Sequence, residues 1–516
     1  MAKSQQSDLV VVYHRQPYEE VIVNKKAVLK ENSSPNGIVP TLKGFLGNAE
    51  KGCWVAWKKA SAAASKSGKL GFEREITIDD AYGNYTVVRM PLTAEQVKSF
   101  YHVTSKEALW PILHSFPWMF NYEAADWPMF REVNRLFAEA ACEKVADDGL
   151  IWIHDYNLWL VPGYIRQMKP DAKIAFFHHT PFPSADIFNI LPWREEIIDS
   201  LLQCDVVGFH IPRYSENFAG VARALRGVEL GPHKAVKPPL VSSGMALSEP
   251  TVTPWLTHEG RRVIVNTQPI GTNPKIINEL LSKFEAGERV AEIRREIGDT
   301  HLIMSVGRVD YVKGIREQLQ AFERLLERRP EVRGNVKFLL VCAAAADGMA
   351  VYRNAQREIE RLVGGINGKY GTLGWTPIML TTRSIPFDEL VCYFKAADTC
   401  WITPLRDGLN LVGKEYIAAQ NGGPGILVLS EFAGAAVELP DAIHVNPYSA
   451  KRMDQGIDLA LDMPAEERKR RMQALLKVVT TSDIENWASH VTGVFDELKG
   501  KAGKPEKGDK KTASAA

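Results

Sequence analysis

The chain has 516 residues, 45% hydrophobic and 24% charged. At ~100–200 residues per domain this implies at least two packed domains and excludes a small disulfide scaffold or a disordered protein. With 63 Lys and Arg against 62 Asp and Glu, the formal charge is +1, so no global field favours nucleic acid or a membrane surface, and an anionic ligand needs a local basic cluster.

The polar start MAKSQQSD leads directly into the apolar run Leu9–Tyr13. Neither a signal-peptide layout nor an apolar stretch of ~18 residues occurs, so a soluble, cytoplasmic protein is expected. Six scattered cysteines without a C-x-x-C pair fit thiols buried as small hydrophobes in a reducing compartment, with no disulfide and no zinc site.

In chain order, DLVVVY is a strand with Arg15 just beyond it, and PNGIVP (35–40) is a turn through Gly37 before a helical stretch. Tyr101 and Trp110, nine apart in FYHVTSKEALWP, fit an aromatic wall for a small polar ligand, or ordinary core packing. The strands LIWIHDY and KIAFFHH end at His154-Asp155 and His178-His179. Three histidines near one sheet edge invite a metal, but no H-E-x-x-H, Cys/His spacing or D-x-D pair accompanies them, so neither a metal nor a cofactor is expected.

CDVVGFH and, after a Ser/Pro/Thr/Gly-rich stretch at 243–260, RVIVNTQ complete the first half. Gly and Pro at Gly271–Pro274 mark the passage into the helical pattern Lys275–Lys283. This predicts a first domain over 1–272 and a second over 273–498, with the last helix free to pack back on the first domain. The Lys-rich stretch 499–516 has almost nothing to bury and is expected to be disordered.

The second half brings the apolar runs HLIMSVG, KFLLVC, TCWITP and GILVLS. Continuous apolar strands alternating with helical patterns imply parallel sheets covered on both faces, the α/β class, with ligands beyond the carboxyl ends of the strands. In MSVGRVDYVKG (304–314), Arg308 and Lys313 could neutralise a diphosphate, or be a solvated pair in a βα loop. In TPLRDGLNLVGKEYIAAQ (403–420), a strand end, the turn Arg406-Asp407-Gly408 and a helix starting near Asn410 put free N–H groups near Leu411 and Val412, suited to phosphate. Asp407 and Glu415 are placed to hold sugar hydroxyls; read singly, a turn residue and a surface helix residue fit as well.

The order of an N-terminal Arg, a Gly turn, Y…LWP, IHDYNL, HTPFP, GRVDYVKG, INGKYGTLGWTP and TPLRDGLNLVGKEY resembles the trehalose-6-phosphate synthase family of retaining glycosyltransferases, from about Val11 to Gln420. The resemblance implies a GT-B fold, two Rossmann-like domains with parallel sheets facing across a cleft. It assigns Arg308 and Lys313 to the donor diphosphate, with Gly408, Asn410, Leu411 and Val412 lining the donor and Glu415 on the ribose. Asp407 and His179 would hold the donor hexose, Ser384 and Ile385 the nucleobase, and Asp155 would lie between donor and acceptor. Arg15, Gly37, Tyr101 and Trp110 would line the acceptor phosphate pocket, and Arg308, Lys313, Asp407, Asp155 and His179 form the catalytic set.

Two departures bear on the acceptor. The family's Gly-Gly-Leu turn is Asn36-Gly37-Ile38 here, and the basic residue usual on the acceptor phosphate falls at Ala346. A lost guanidinium removes ~1.5–3 kcal/mol of charge-assisted bonding, so glucose 6-phosphate should be held poorly unless another cation substitutes. YHRQPYEE with PNGIVPTL is similar to a branch of the family that moves glucose from ADP-glucose to glycerol 3-phosphate in compatible-solute synthesis under salt stress. The expected partners are small molecules, a nucleotide-glucose donor and a phosphorylated polyol acceptor; no nucleic-acid or membrane site is expected, and homo-oligomerisation stays open. Trehalose-6-phosphate synthesis, a non-catalytic sugar-phosphate sensor and a phosphorylase are the alternatives.

Overall fold

The computed structural model describes residues 6–23, 26–31, 38–60, 70–344 and 349–501. The first half forms a ten-stranded sheet, and its seven central strands run parallel. Across that sheet lie Arg261–Thr267, Val206–Phe209, Lys173–His178, Val145–His154, Ser7–Val12, Gly52–Lys59 and Gly83–Leu92. Antiparallel strands close both edges, Glu75–Asp80 on one side and Trp255–His258 with Glu229–Leu230 on the other. The second half forms a six-stranded, wholly parallel sheet in the order Ile378–Thr381, Val336–Ala343, His301–Arg308, Thr399–Ile402, Ile426–Ser430, Ile443–Val445.

The expected α/β class and GT-B plan are what the chain adopts. Counting parallel strands along each half, the first sheet runs 3-2-1-4-5-6-7 and the second 3-2-1-4-5-6, so in both the strand order reverses between strands 1 and 4. Crevices for ligands open at such reversals, beyond the carboxyl ends of the strands. In the first sheet that point follows Ser7–Val12 and Val145–His154, and in the second it follows His301–Arg308 and Thr399–Ile402.

Continuous apolar runs make this possible because both sheet faces are covered. Along Ser7–Val12, Val10 and Val12 pack into one buried layer while Leu9 and Val11 pack into the other. The second layer continues into the second half through Leu302, Met304 and Leu427. The final helix, Ile484–Lys501, returns to the first sheet: Trp487 lies 5.6 Å from Phe45, 5.9 Å from Trp152 and 5.6 Å from Phe177 between ring centroids.

One feature departs from the sequence reading: an antiparallel pair, Tyr18–Val23 with Lys26–Glu31, follows the first strand where no strand was expected. The helical pattern expected over Lys275–Lys283 is the helix Pro274–Leu281, and a second helix, Phe284–Ile297, follows it. Among the described residues no helix is long and apolar enough to cross a membrane.

Candidate active site

The two switch points face one cleft of about 590 Å³. Every site residue expected from the sequence lines it except Gly37, which lies outside the described residues along with Ala346; Ile38, next to Gly37, does line the cleft.

The C-terminal wall is built by two βα connections. After His301–Arg308, Asp310 caps a short turn through its side chain, which accepts from the Val312 N–H at 3.2 Å, and Gly314 at φ +68° starts the helix Ile315–Arg328. A Cβ at Gly314 would lie 2.1 Å from the Thr403 carbonyl oxygen, so the absent side chain lets the two connections touch. After Thr399–Ile402 the chain runs through Asp407 to the helix Val412–Gln420. Asn410 sits at φ +80°, a conformation Asn tolerates, and its side-chain oxygen accepts from the Gly413 N–H at 3.3 Å. The next N–H groups back, at Val412 and Leu411, belong to a helix start, where no intrahelical acceptor exists. Both residues line the cleft.

Lys313 Nζ donates to Asp407 Oδ2 at 2.7 Å, and Asn410 Nδ2 donates to the same oxygen at 3.2 Å. Burial opposes ionisation of Asp407, but Lys313 and the Asn410 amide outweigh it and hold the carboxyl below the usual carboxylate range. Glu415 is 4% exposed, which removes the reading of a surface helix residue. Arg308 keeps an exposed side chain at the cleft.

The N-terminal wall carries Asp155 at φ +72° and ψ 163°, a backbone region that costs a non-glycine residue of order 1–3 kcal/mol. Its Oδ1 accepts from the His179 backbone N–H and the Thr180 hydroxyl, both at 3.3 Å. Burial pushes the Asp155 carboxyl up to about 6, against these hydrogen bonds and the pull of Lys106. Of the three strand-end histidines only His179 reaches the cleft. His154 is fully buried behind it, its Nδ1 3.1 Å from His179 Nε2, and burial keeps both rings neutral, so one of the two nitrogens donates. His178 turns into the core against Trp159 and Phe209. Among the described residues no group of three or more His, Cys, Asp or Glu could hold a metal ion.

Tyr101 and Trp110 meet on one wall for a reason the sequence does not carry. In an α-helix nine residues span two and a half turns of 3.6, opposite faces. The stretch Lys98–Leu109 is instead wound as a π-helix, and the Trp110 N–H at its end donates five residues back to Ser105. Bonds of that i→i+5 type widen the helix so that nine positions come to about two turns. The same winding carries Lys106, which no sequence motif singles out, into the cleft wall. His14, Tyr156 and Thr180 also line the cleft unpredicted.

The halves touch at the site itself. The Tyr214 hydroxyl donates to the Asp407 carbonyl at 3.0 Å, and a Cβ at Gly408 would lie 2.2 Å from the His179 carbonyl oxygen. Only glycine lets the turn at Gly408 approach the strand end of the other sheet this closely.

The sequence matches the model of Glycosyltransferase family 20 over residues 7–497. It is 55% identical to a glucosylglycerol-phosphate synthase of Synechocystis over 94% of this chain and 96% of the relative, and 54% identical to that of Picosynechococcus over 96% and 98%. The structure of trehalose-6-phosphate from E. coli bound with UDP-2-fluoro glucose superposes with a TM-score of 0.80 at 29% identity, covering 95% of this chain and 98% of that one. With a family match spanning almost the whole chain and a GT-B cleft at both switch points, this chain belongs to glycosyltransferase family 20 and is a glycosyltransferase.

Proposed function

We propose that this glycosyltransferase moves glucose from ADP-glucose to glycerol 3-phosphate with retention of the α configuration, giving glucosylglycerol phosphate, a compatible-solute precursor. The observation that carries this reading is the pairing of two cationic walls across one cleft, Arg308 with Lys313 on one side and Arg15 on the other. The likeness to glucosylglycerol-phosphate synthases at 55% and 54% identity supports the choice of acceptor.

On this reading the donor C1–O bond to the diphosphate breaks while the acceptor hydroxyl oxygen bonds to C1 on the same face. The acceptor proton passes to the departing phosphate oxygen. Negative charge gathers on that phosphate, so Arg308, Lys313 and the N–H groups at Leu411 and Val412 supply the main transition-state stabilisation. Asp407 accepts a hexose hydroxyl with the lone pairs that Lys313 and Asn410 leave open, and His179 holds the other side of the hexose. Glu415 takes the ribose hydroxyls, and Ser384 and Ile385 meet the base through their backbone. Asp155 stands between hexose and acceptor, whose phosphate lies against Arg15, Tyr101 and Trp110. All six cysteines are unpaired, which supports a reducing, cytoplasmic setting.

The test is product analysis with purified protein, crossing ADP-glucose and UDP-glucose with glycerol 3-phosphate and glucose 6-phosphate. Glucosylglycerol phosphate formed from ADP-glucose is the expected product; turnover with glucose 6-phosphate alone would replace this acceptor by that of a trehalose-6-phosphate synthase.

A further inference from the structure

Lys106 is 8% exposed, yet it forms no ion pair with a carboxylate among the described residues. Its ammonium lies 3.8 Å from the centre of the Trp110 ring and 5.8 Å from that of Tyr101, a two-sided aromatic seat. An aromatic face attracts a cation, but by less than is lost when an ammonium leaves water. Among the charges around it, Arg15, beyond the first strand, and Arg308, at the end of the first strand of the other sheet, are both repulsive, while Asp310, Asp155 and the Tyr101 phenol oppose them. Burial, with both arginines adding to it, lowers the ammonium to about 8. On the same wall the Trp110 indole nitrogen and both His14 ring nitrogens are buried without a hydrogen-bond partner among the described residues. A buried cation with no carboxylate partner, beside the unsatisfied Trp110 indole N–H and the one N–H of the neutral His14 ring, is costly for the free protein and becomes favourable once an anion shares the wall.

Resting on the phosphorylated acceptor of the proposed function, we infer that Lys106 is an acceptor-specificity residue whose ammonium, with the Arg15 guanidinium, grips the acceptor's phosphate monoester. Arg308 and Lys313 are engaged by the donor diphosphate in that reading, which leaves Lys106 and Arg15 as the cations of the acceptor wall. Lys106 is also within electrostatic reach of Asp155, where the acceptor hydroxyl reacts. A phosphate held there is close to the reacting centre, which suits a short polyol phosphate.

The experiment compares the wild-type protein with Lys106→Ala and Lys106→Arg, in steady-state kinetics and in equilibrium binding of inorganic phosphate, a probe independent of the acceptor's carbon skeleton. Loss of one charge-assisted contact should raise the KM for glycerol 3-phosphate and the phosphate Kd about 10- to 100-fold in Lys106→Ala. The donor KM should stay within about twofold, and Lys106→Arg should recover most of the loss. Equal phosphate binding by wild type and Lys106→Ala, no saturable phosphate binding by wild type, or a parallel rise in donor and acceptor KM with no rescue by Arg overturns the inference. Failure of wild type to use glycerol 3-phosphate, with phosphate binding still dependent on Lys106, would overturn the choice of acceptor and leave the role of Lys106 standing.

Discussion

Lys313 and Asp407 form an ion pair at 2.7 Å that ties the connection after the first strand of the C-terminal sheet to the turn after its fourth strand. The pair is partly exposed, 22% and 16%, so a ligand can reach it. On the proposed function it couples two jobs, because the cation offered to the donor diphosphate would also hold the carboxylate offered to the donor hexose. Asn410, bonded to the same carboxylate oxygen, adds the helix start to this unit.

On the proposed mechanism, Lys313→Ala removes a positive charge from the point where negative charge develops. Its kcat should fall about 10²–10³-fold, as when one donor to a developing anion is lost. Turnover kinetics at saturating substrates check this, and near-normal kcat would exclude the leaving-group role.

Asp155 gives the enzyme an acid limb. Burial raises its carboxyl to about 6, so below that pH the folded protein carries it protonated. Activity as kcat/KM should therefore rise as pH passes through about 6, and Asp155→Asn should lower the rate and flatten the limb. The stability sign is the reverse. With the folded value above the unfolded one of about 3.9, the native state binds the proton more tightly, so this contribution to stability is full at low pH and is lost as pH rises through the folded value. A pH–rate profile with no acid limb altered by Asp155→Asn would sink the argument.

Gly408→Ala tests the contact between the halves. A methyl group there would lie 2.2 Å from the His179 carbonyl oxygen, so the donor turn must move away from the N-terminal wall. Overpacking of this kind costs about 1–3 kcal/mol. Reduced kcat with an unchanged far-ultraviolet circular dichroism spectrum is expected; full activity would mean that the close approach is dispensable.

Lys414 and Glu438 form a buried pair at 2.8 Å, exposed by 2% and 0%, and Lys414 also donates to the Ile270 carbonyl of the other half at 2.9 Å. Removing one partner strands a buried charge, so Glu438→Ala should lose about 3–5 kcal/mol in urea unfolding. The paired replacement Lys414→Met with Glu438→Leu should recover most of that loss. Equal destabilisation by single and double variants would mean that packing, not charge, dominates there.

Much of the fold was legible because sheet burial is written locally. Stretches such as Leu150–Ile153 and Leu302–Met304 are apolar at every position, as strands covered on both faces require, and the charged or small residues that follow them mark the carboxyl ends where ligands bind. Arg308, Asp155 and Asp407 could be singled out for that reason. The antiparallel edges escaped because short edge strands lack that apolar signature, as in Glu75–Asp80 with its alternating partial exposure.

The sequence by itself determined the α/β class, the two parallel sheets and the loops that carry the chemistry, since each depends on the apolar pattern of a short segment. Only the tertiary structure decided that Lys313 meets Asp407, that Gly408 touches His179, that the last helix returns to Trp152, and that π-type winding gathers Tyr101, Lys106 and Trp110 on one wall. These are contacts between segments far apart in the chain, or a local winding imposed by packing. No periodicity encodes them, because their energy exists only once both partners are in place.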